Sequence, residues 1–297
     1  MAETLEPLCI EPGWIVHRSH DLLMLDKPAG LLSQPGLGPQ QADSLITRVQ
    51  QRWPQAQLVH RLDRDTSGLV AVALEPALHR ALSIAFAERR VLKHYVADVV
   101  GVPRAARGEI DWPLAKCQHQ PPRYAVDGHL GKPARTQWWL IHASGGGSRL
   151  GLQPHTGRSH QLRVHLQALG HPILGDPLYG PPATARRMHL HATALAFDHP
   201  LNGEPMRFHS PVLALIGYGA ATLTTVSFVP QALKTLRSGD TRGISLRMYL
   251  LFCSGIVLWG LYGLLTRDGP LIAANAVTLV LSGLILERTW RARRQRG

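Results

Sequence analysis

Over the first two thirds of the 297-residue chain, apolar positions fall in short runs that switch between strand and helix periods. Trp14–Lys27 carries two apolar runs around Ser19-His20-Asp21, which predicts a β-hairpin. Ser44–Trp53 predicts a helix with Asp43 as its N-cap. Pro76–Arg90 predicts a second helix, because Leu78, Leu82 and Phe86 recur four apart and Pro76 suits a first turn. Leu69–Leu74, just after a T-S-G turn, reads as an apolar strand. Lys93–Val100 alternates and puts Tyr95, Ala97 and Val99 on one face. Thr136–His142 and Arg149–Gln153 read as strands around the flexible Ser144–Ser148 turn. Gly157–Leu169 predicts a helix closed by Gly170 and Pro172. Together these elements predict an α+β domain with a mainly antiparallel, mixed sheet.

The pattern changes abruptly after Phe208-His209-Ser210-Pro211, with no linker between the two parts. Pro211–Leu233, Met248–Thr266 and Gly269–Leu286 are 23, 19 and 18 residues long and contain no charge. A bilayer-crossing helix needs about 20 apolar residues. A buried helical hairpin in a soluble domain accounts poorly for three such runs in succession. The sequence therefore divides into an α+β domain, 1–210, and an all-α bundle of three transmembrane helices, 211–297. The expected spans are about 212–234, 247–266 and 269–288.

Charge separates the same two parts. Residues 1–210 hold 22 Lys/Arg against 17 Asp/Glu, whereas 211–297 hold 10 against 3. The high overall pI is thus a weak argument for nucleic-acid binding, since over half of the basic excess lies in the tail. Cys9, Cys117 and Cys253 form no C-x-x-C pair, so neither a disulfide framework nor a zinc site is expected, and a reducing compartment fits. The acidic start, M-A-E-T-L-E-P-L, lacks the apolar run of a secretory signal.

Chemistry concentrates in His60-Arg61-Leu62-Asp63-Arg64-Asp65-Thr66-Ser67-Gly68-Leu69. Asp63 sits between two arginines, just ahead of a T-S-G turn. Flanking cations favour the ionised carboxylate, the form a nucleophile or base requires. A lone loop Asp is most often a turn or cap residue, but that reading does not cover the whole string. The decapeptide resembles the signature of the RluA-type pseudouridine synthases, H-R-L-D-x-x-T-S-G-[LIV]. Further motifs follow the family's order: Leu25–Leu32, Lys93-His94-Tyr95-Val96-Ala97, Gly131–Thr136, Thr156–His165 and Gly170–Asp176. The likeness spans about residues 12–210 and lies nearest the subgroup acting on a tRNA anticodon arm and large-subunit (23S) rRNA.

The resemblance implies an isomerase that turns uridine into pseudouridine with neither cofactor nor metal. It makes Asp63 the essential carboxylate, Arg158 the arginine paired with it, and Tyr95 the ring stacked on the target base. Arg61 would enter the RNA stack as the uridine is flipped out. Leu162 would pack against the site, and Arg64 joins them as an RNA-facing residue. His155, His160 and His165 are five apart, off a single helix face, so no metal site is expected. Arg186-Arg187 and Lys132 with Arg135 suit either phosphate contact or solvated surface.

The tail resembles a SemiSWEET, a three-helix PQ-loop protein whose dimers transport small sugars. Pro230 would be a hinge, and Trp259 and Asn275 would line a sugar pocket. The partners this implies are RNA, a membrane, a second copy of the tail and a small sugar. The alternative function is a sugar transporter carrying a vestigial or mislocalised synthase. Orientation is in conflict. Lys234, Arg237, Arg242 and Arg247, and the basic C-terminus from Arg288 onward, should both be cytoplasmic. Three spans would then place the synthase, expected in the cytoplasm, on the far side of the membrane.

Overall fold

A computed structural model of the chain describes residues 10–181, 185–210, 252–260 and 269–294. The chain divides into two units, Met1–Ser210 and Pro211–Gly297.

The first unit starts with the expected hairpin, β1 (Ile15–Arg18) against β2 (Leu22–Lys27). Helix α1 (Leu45–Gln50) follows, then the short β3 (Gln57–Leu58), β4 (Ser67–Ala73) and α2 (Pro76–Ala87). Strands β5 (Leu92–Val100), β6 (Arg107–Asp111), β7 (Leu114–His119), β8 (Pro122–Val126), β9 (Arg135–Ser144) and β10 (Gly147–Pro154) come next. Helix α3 (Gln161–Ala168) precedes the last two strands, β11 (Leu190–Asp198) and β12 (Pro205–His209). Ten strands form one sheet with the main order β1-β2-β4-β11-β5-β10-β9-β6, with β3 beside β4 and β12 beside β11. Every pairing is antiparallel except β4 with β11. Strands β7 and β8 form a separate ribbon.

Both faces of the centre are covered, which explains the unbroken apolar run of β4. On one face Leu23, Leu25, Val70 and Val72 pack with Leu45, Ile46 and Val49 of α1. On the other, Leu22, Met24, Leu69 and Ala71 meet Leu78 and Leu82 of α2. Alternate residues of one strand thus serve opposite layers, each worth about 1.5–3 kcal/mol when fully buried. Further along the α1 face, Leu162 and Leu166 of α3 cover Ala97, Val99, Leu150 and Leu152. Tyr95 touches both the α1 and the α3 clusters, so it stands at the seam between them.

Two expected boundaries move. The cap of α1 is Ser44, whose hydroxyl accepts from the Thr47 N–H in a capping box, while Asp43 pairs with Arg48 at 2.7 Å. Either residue can cap, and the side chain one position later has the extended backbone that a cap needs. Helix α3 begins at Gln161 rather than near Gly157, because His160 adopts left-handed φ (+55°) and breaks the helical path. Gly145 and Gly146 close the β9–β10 hairpin with φ of +56° and +86°, a turn that side chains resist.

In the second unit, residues 252–260 and Gly269–Arg294 are helical. Cys253 Sγ donates to Ser282 Oγ at 3.5 Å, and the backbone of Gly260 faces Asn275, so the two segments run antiparallel. Among the described residues no helix is long and apolar enough to cross a membrane. Of the three expected spans, 212–234 lies outside the described residues and 247–266 is described only at 252–260. The expected three-helix bundle is thus seen only as this pair.

Candidate active site

The loop from His60 to Thr66 joins β3 to β4 and carries Asp63 into the lining of a cavity of about 480 Å³. Its backbone is fixed from behind by the Leu25–Leu32 stretch. Lys27, wholly buried, donates from Nζ to the carbonyl oxygens of Pro28 (2.9 Å), Leu31 (2.7 Å) and Arg64 (3.0 Å). Three carbonyls match the three donors of an ammonium. Burial lowers the Lys27 pKa to about 8, against the opposing pull of the Asp65 and Asp63 charges. Ser33 holds the next residue on both sides, its hydroxyl bonding Leu62 O (2.8 Å) and accepting from Leu62 N (3.0 Å). The Thr66 N–H donates to Asp63 O at 3.1 Å and closes the turn.

His60 anchors the loop's start. Its Nε2 accepts from the Ala71 N–H (3.1 Å) and its ring stacks on Phe86, with centroids 4.6 Å apart. Burial, with Lys93 nearby, pushes its pKa down to about 3, so it stays neutral and accepting. Gly68 then lets β4 approach β11. A Cβ there would lie 2.3 Å from Ala192 O, and its φ is +113°.

The charge on Asp63 is balanced by Arg163. Arg163 Nη1 donates to Asp63 Oδ2 at 3.1 Å, while its Nε and Nη2 grip both oxygens of Asp176 at 2.7 and 2.8 Å. Asp176 also accepts from the Leu178 and Tyr179 N–H groups. Burial opposes both charges. The Arg163 bonds nonetheless hold the Asp176 pKa below its ordinary value, and the two carboxylates hold that of Arg163 above. The guanidinium is 3% exposed and Asp63 is 23% exposed, so the acid faces the cavity while its partner is sealed behind it. A bidentate buttress of this kind fixes a guanidinium in angle as well as distance.

His160 completes the surround, its Nε2 3.9 Å from Asp63 Oδ2 and its Nδ1 2.8 Å from the Tyr179 hydroxyl. That hydroxyl also accepts from the Tyr124 N–H at 2.9 Å. Burial lowers the His160 pKa, against the pull of Asp63. Tyr95 and Leu162 line the same cavity. Burial and the Asp63 charge raise the Tyr95 pKa, so it remains a neutral phenol. Arg61, Arg89, Lys93 and Arg158 add positive charge to the lining, in which Asp63 is the sole carboxylate among the described residues.

The structure corrects one expected contact. Arg158 does not pair with Asp63. Its Nε donates to Pro133 O at 3.0 Å in an exposed position. Because α3 begins only at Gln161, Arg158 sits in the preceding loop, whereas Arg163, in the helix's first turn, faces the acid. Sequence reasoning missed Arg163, Asp176, His160 and Lys27. The signal lay in two arginines spaced five apart inside one motif, and only burial separates them. Arg64, expected to face RNA, pairs with Asp65 at 3.2 Å and lines a different cavity from Asp63. Of the other histidines, His165 bonds Thr136 and Trp112 O in the interior, and His155 lines the cavity. Trp259 is 58% exposed and Asn275 half-buried, and Pro230 lies outside the described residues.

A carboxylate paired with a buried guanidinium in a basic cavity, beside a neutral tyrosine, suits an enzyme acting on a polyanion. Residues 21–168 match the RNA pseudouridylate synthase family, and residues 212–272 match the PQ loop repeat. The dual-specificity RNA pseudouridine synthase RluA of Escherichia coli (strain K12) is 45% identical over 201 residues, covering 66% of this chain and 92% of that protein. The structure of human RNA pseudouridylate synthase domain containing 1 aligns with a TM-score of 0.56 at 32% identity, over 68% of this chain and 86% of that one. A SemiSWEET crystal structure in the inward-open conformation is 40% identical over 29% of this chain and 92% of its own, with a TM-score of 0.29. The chain belongs to the RNA pseudouridine synthases, isomerases of the RluA type, and carries a PQ-loop region after the synthase domain.

Proposed function

We propose that the first unit isomerises uridine to pseudouridine in a structured RNA, a tRNA anticodon arm or 23S rRNA, with Asp63 as the reacting carboxylate. The observation that carries this is the Asp63–Arg163–Asp176 chain, which sets one carboxylate against a buried guanidinium in an otherwise basic cavity. Asp63 acts on the ribose or base as the N1–C1′ bond breaks, the freed uracil turns, and C5 bonds to C1′ while its hydrogen leaves as a proton and N1 takes one up. No electrons are gained or lost, so the reaction calls for no redox cofactor. Tyr95 stacks on the everted base, an interaction typically worth about 1–3 kcal/mol. Arg61, exposed at the rim, fills the gap left in the RNA stack, and Arg158 contacts backbone phosphate there. Incubating the full-length chain with total tRNA and 23S rRNA, then mapping pseudouridine chemically, identifies the target. Asp63→Ala yields none, and product from that variant would overturn the assignment.

The PQ-loop region is proposed as a membrane-embedded, sugar-transporter-like domain. Its three charge-free runs support this, as do the exposed Leu258, Trp259, Val277 and Val280, apolar surface that lipid or a second copy would cover. Trp259 and Asn275 line the sugar pocket in this reading, and Pro230 is the hinge. Sugar uptake into vesicles that Asn275→Ala abolishes is the expected result, and absence of uptake by an inserted dimer would count against it. A vestigial synthase is disfavoured by the completeness of the Asp63 surround.

A further inference from the structure

A second cavity, of about 510 Å³, opens on the other side of the catalytic loop. Arg64 and Asp65 line it, with Asp176, Arg123, Arg186 and Arg187. Its two carboxylates are already taken, Asp65 by Arg64 and Asp176 by Arg163 and two backbone N–H groups. Three arginines then remain without a carboxylate among the described residues. Arg123 donates from Nη2 to Leu178 O and lies over the Tyr179 ring, but its buried Nε has no acceptor. Among the described residues, Arg187 bonds only the Ser67 hydroxyl, at 3.5 Å. Arg186 is exposed at the rim.

Solvated surface accounts for Arg186 and Arg187 taken singly, since both are exposed. It does not account for a sealed, unsatisfied guanidinium N–H beside two further cations in one concavity. Such a set is satisfied by an anion with several acceptor oxygens. We propose that this cavity binds backbone phosphate of the substrate RNA, on the strand that continues past the everted nucleotide. Placement selects RNA over a free anion. The loop is the wall between the two cavities, with Arg61 and Asp63 on one side and Arg64 and Asp65 on the other. A strand whose base enters the first cavity carries its neighbouring phosphates over that wall. Arg123, Arg186 and Arg187 are thus substrate-binding residues, and Asp176 couples their cavity to the catalytic guanidinium.

This inference rests on the RNA reading above, so its test is kept separate from turnover. Binding of a fluorescent RNA hairpin is measured against salt concentration on the full-length Asp63→Ala protein. Adding Arg186→Gln and Arg187→Gln lowers the slope of log K against log salt by about 1 to 2, since each phosphate contact contributes about 0.7 to 0.9. The corresponding lysine pair restores most of the slope. With Asp63 intact, the glutamine pair raises KM severalfold. Arg186→Gln alone, which removes no interior contact, lowers the slope by a smaller step and guards against misfolding of the pair. An unchanged slope and KM in folded variants would overturn the site. If the wild type binds RNA with a steep slope yet makes no pseudouridine, the isomerase reading fails while the phosphate site stands.

Discussion

At the scale of single residues, the site is governed by which charges are buried. Arg163 and Asp176 are both sealed, and such a pair is stable only while each keeps its partner. Asp176→Asn should therefore destabilise the first unit by about 3 kcal/mol at pH 7. The sign follows from the depressed Asp176 pKa. The wild-type advantage is complete above the ordinary carboxylate range and is lost as pH falls through the lower folded value. Urea unfolding at pH 7 and at pH 3 checks this, and an equal gap at both would contradict it. Arg163 was hidden in the sequence for the same reason. Arg158 and Arg163 share one motif, and periodicity does not say which guanidinium is interior when the helix start is displaced. Asp63 was legible because its whole decapeptide is distinctive.

At the scale of elements, the strands and helices with a clean period were readable: the β1–β2 hairpin, α2 with its fourfold Leu78/Leu82/Phe86 spacing, and the β9–β10 pair. Strands β6, β7 and β8 were not, since their exposed and polar positions leave no alternation to detect. Central β11 also escaped, although it places β4 and β5 side by side. Its parallel pairing with β4 depends on backbone contact at Gly68, which carries no hydrophobic signal. Gly68→Ala combines a disfavoured φ with collision against Ala192, and should cost at least about 2 kcal/mol. Activity should fall further than stability, because the Asp63 loop leads directly into that crossing. Thermal melting alongside single-turnover rates separates the two, and a fully active variant would contradict the role given to the crossing.

For the whole molecule, an RNA enzyme precedes a region whose flanking charges argue for the opposite placement. The first unit requires RNA, found in the cytoplasm, and that requirement should prevail. We expect the synthase to resist protease added to intact cells and to be digested in inverted vesicles. Digestion in intact cells would place it outside and deprive it of substrate. The central claim, that the acid held by Arg163 performs the isomerisation, is tested most directly by tritium release. An RNA carrying tritium at uridine C5 loses it to water only when carbon takes the place of nitrogen at the ribose. The full-length protein should release the label in a single turnover, and the isosteric Asp63→Asn should be slower by at least about 10⁴-fold. Comparable rates from the two proteins would contradict the account.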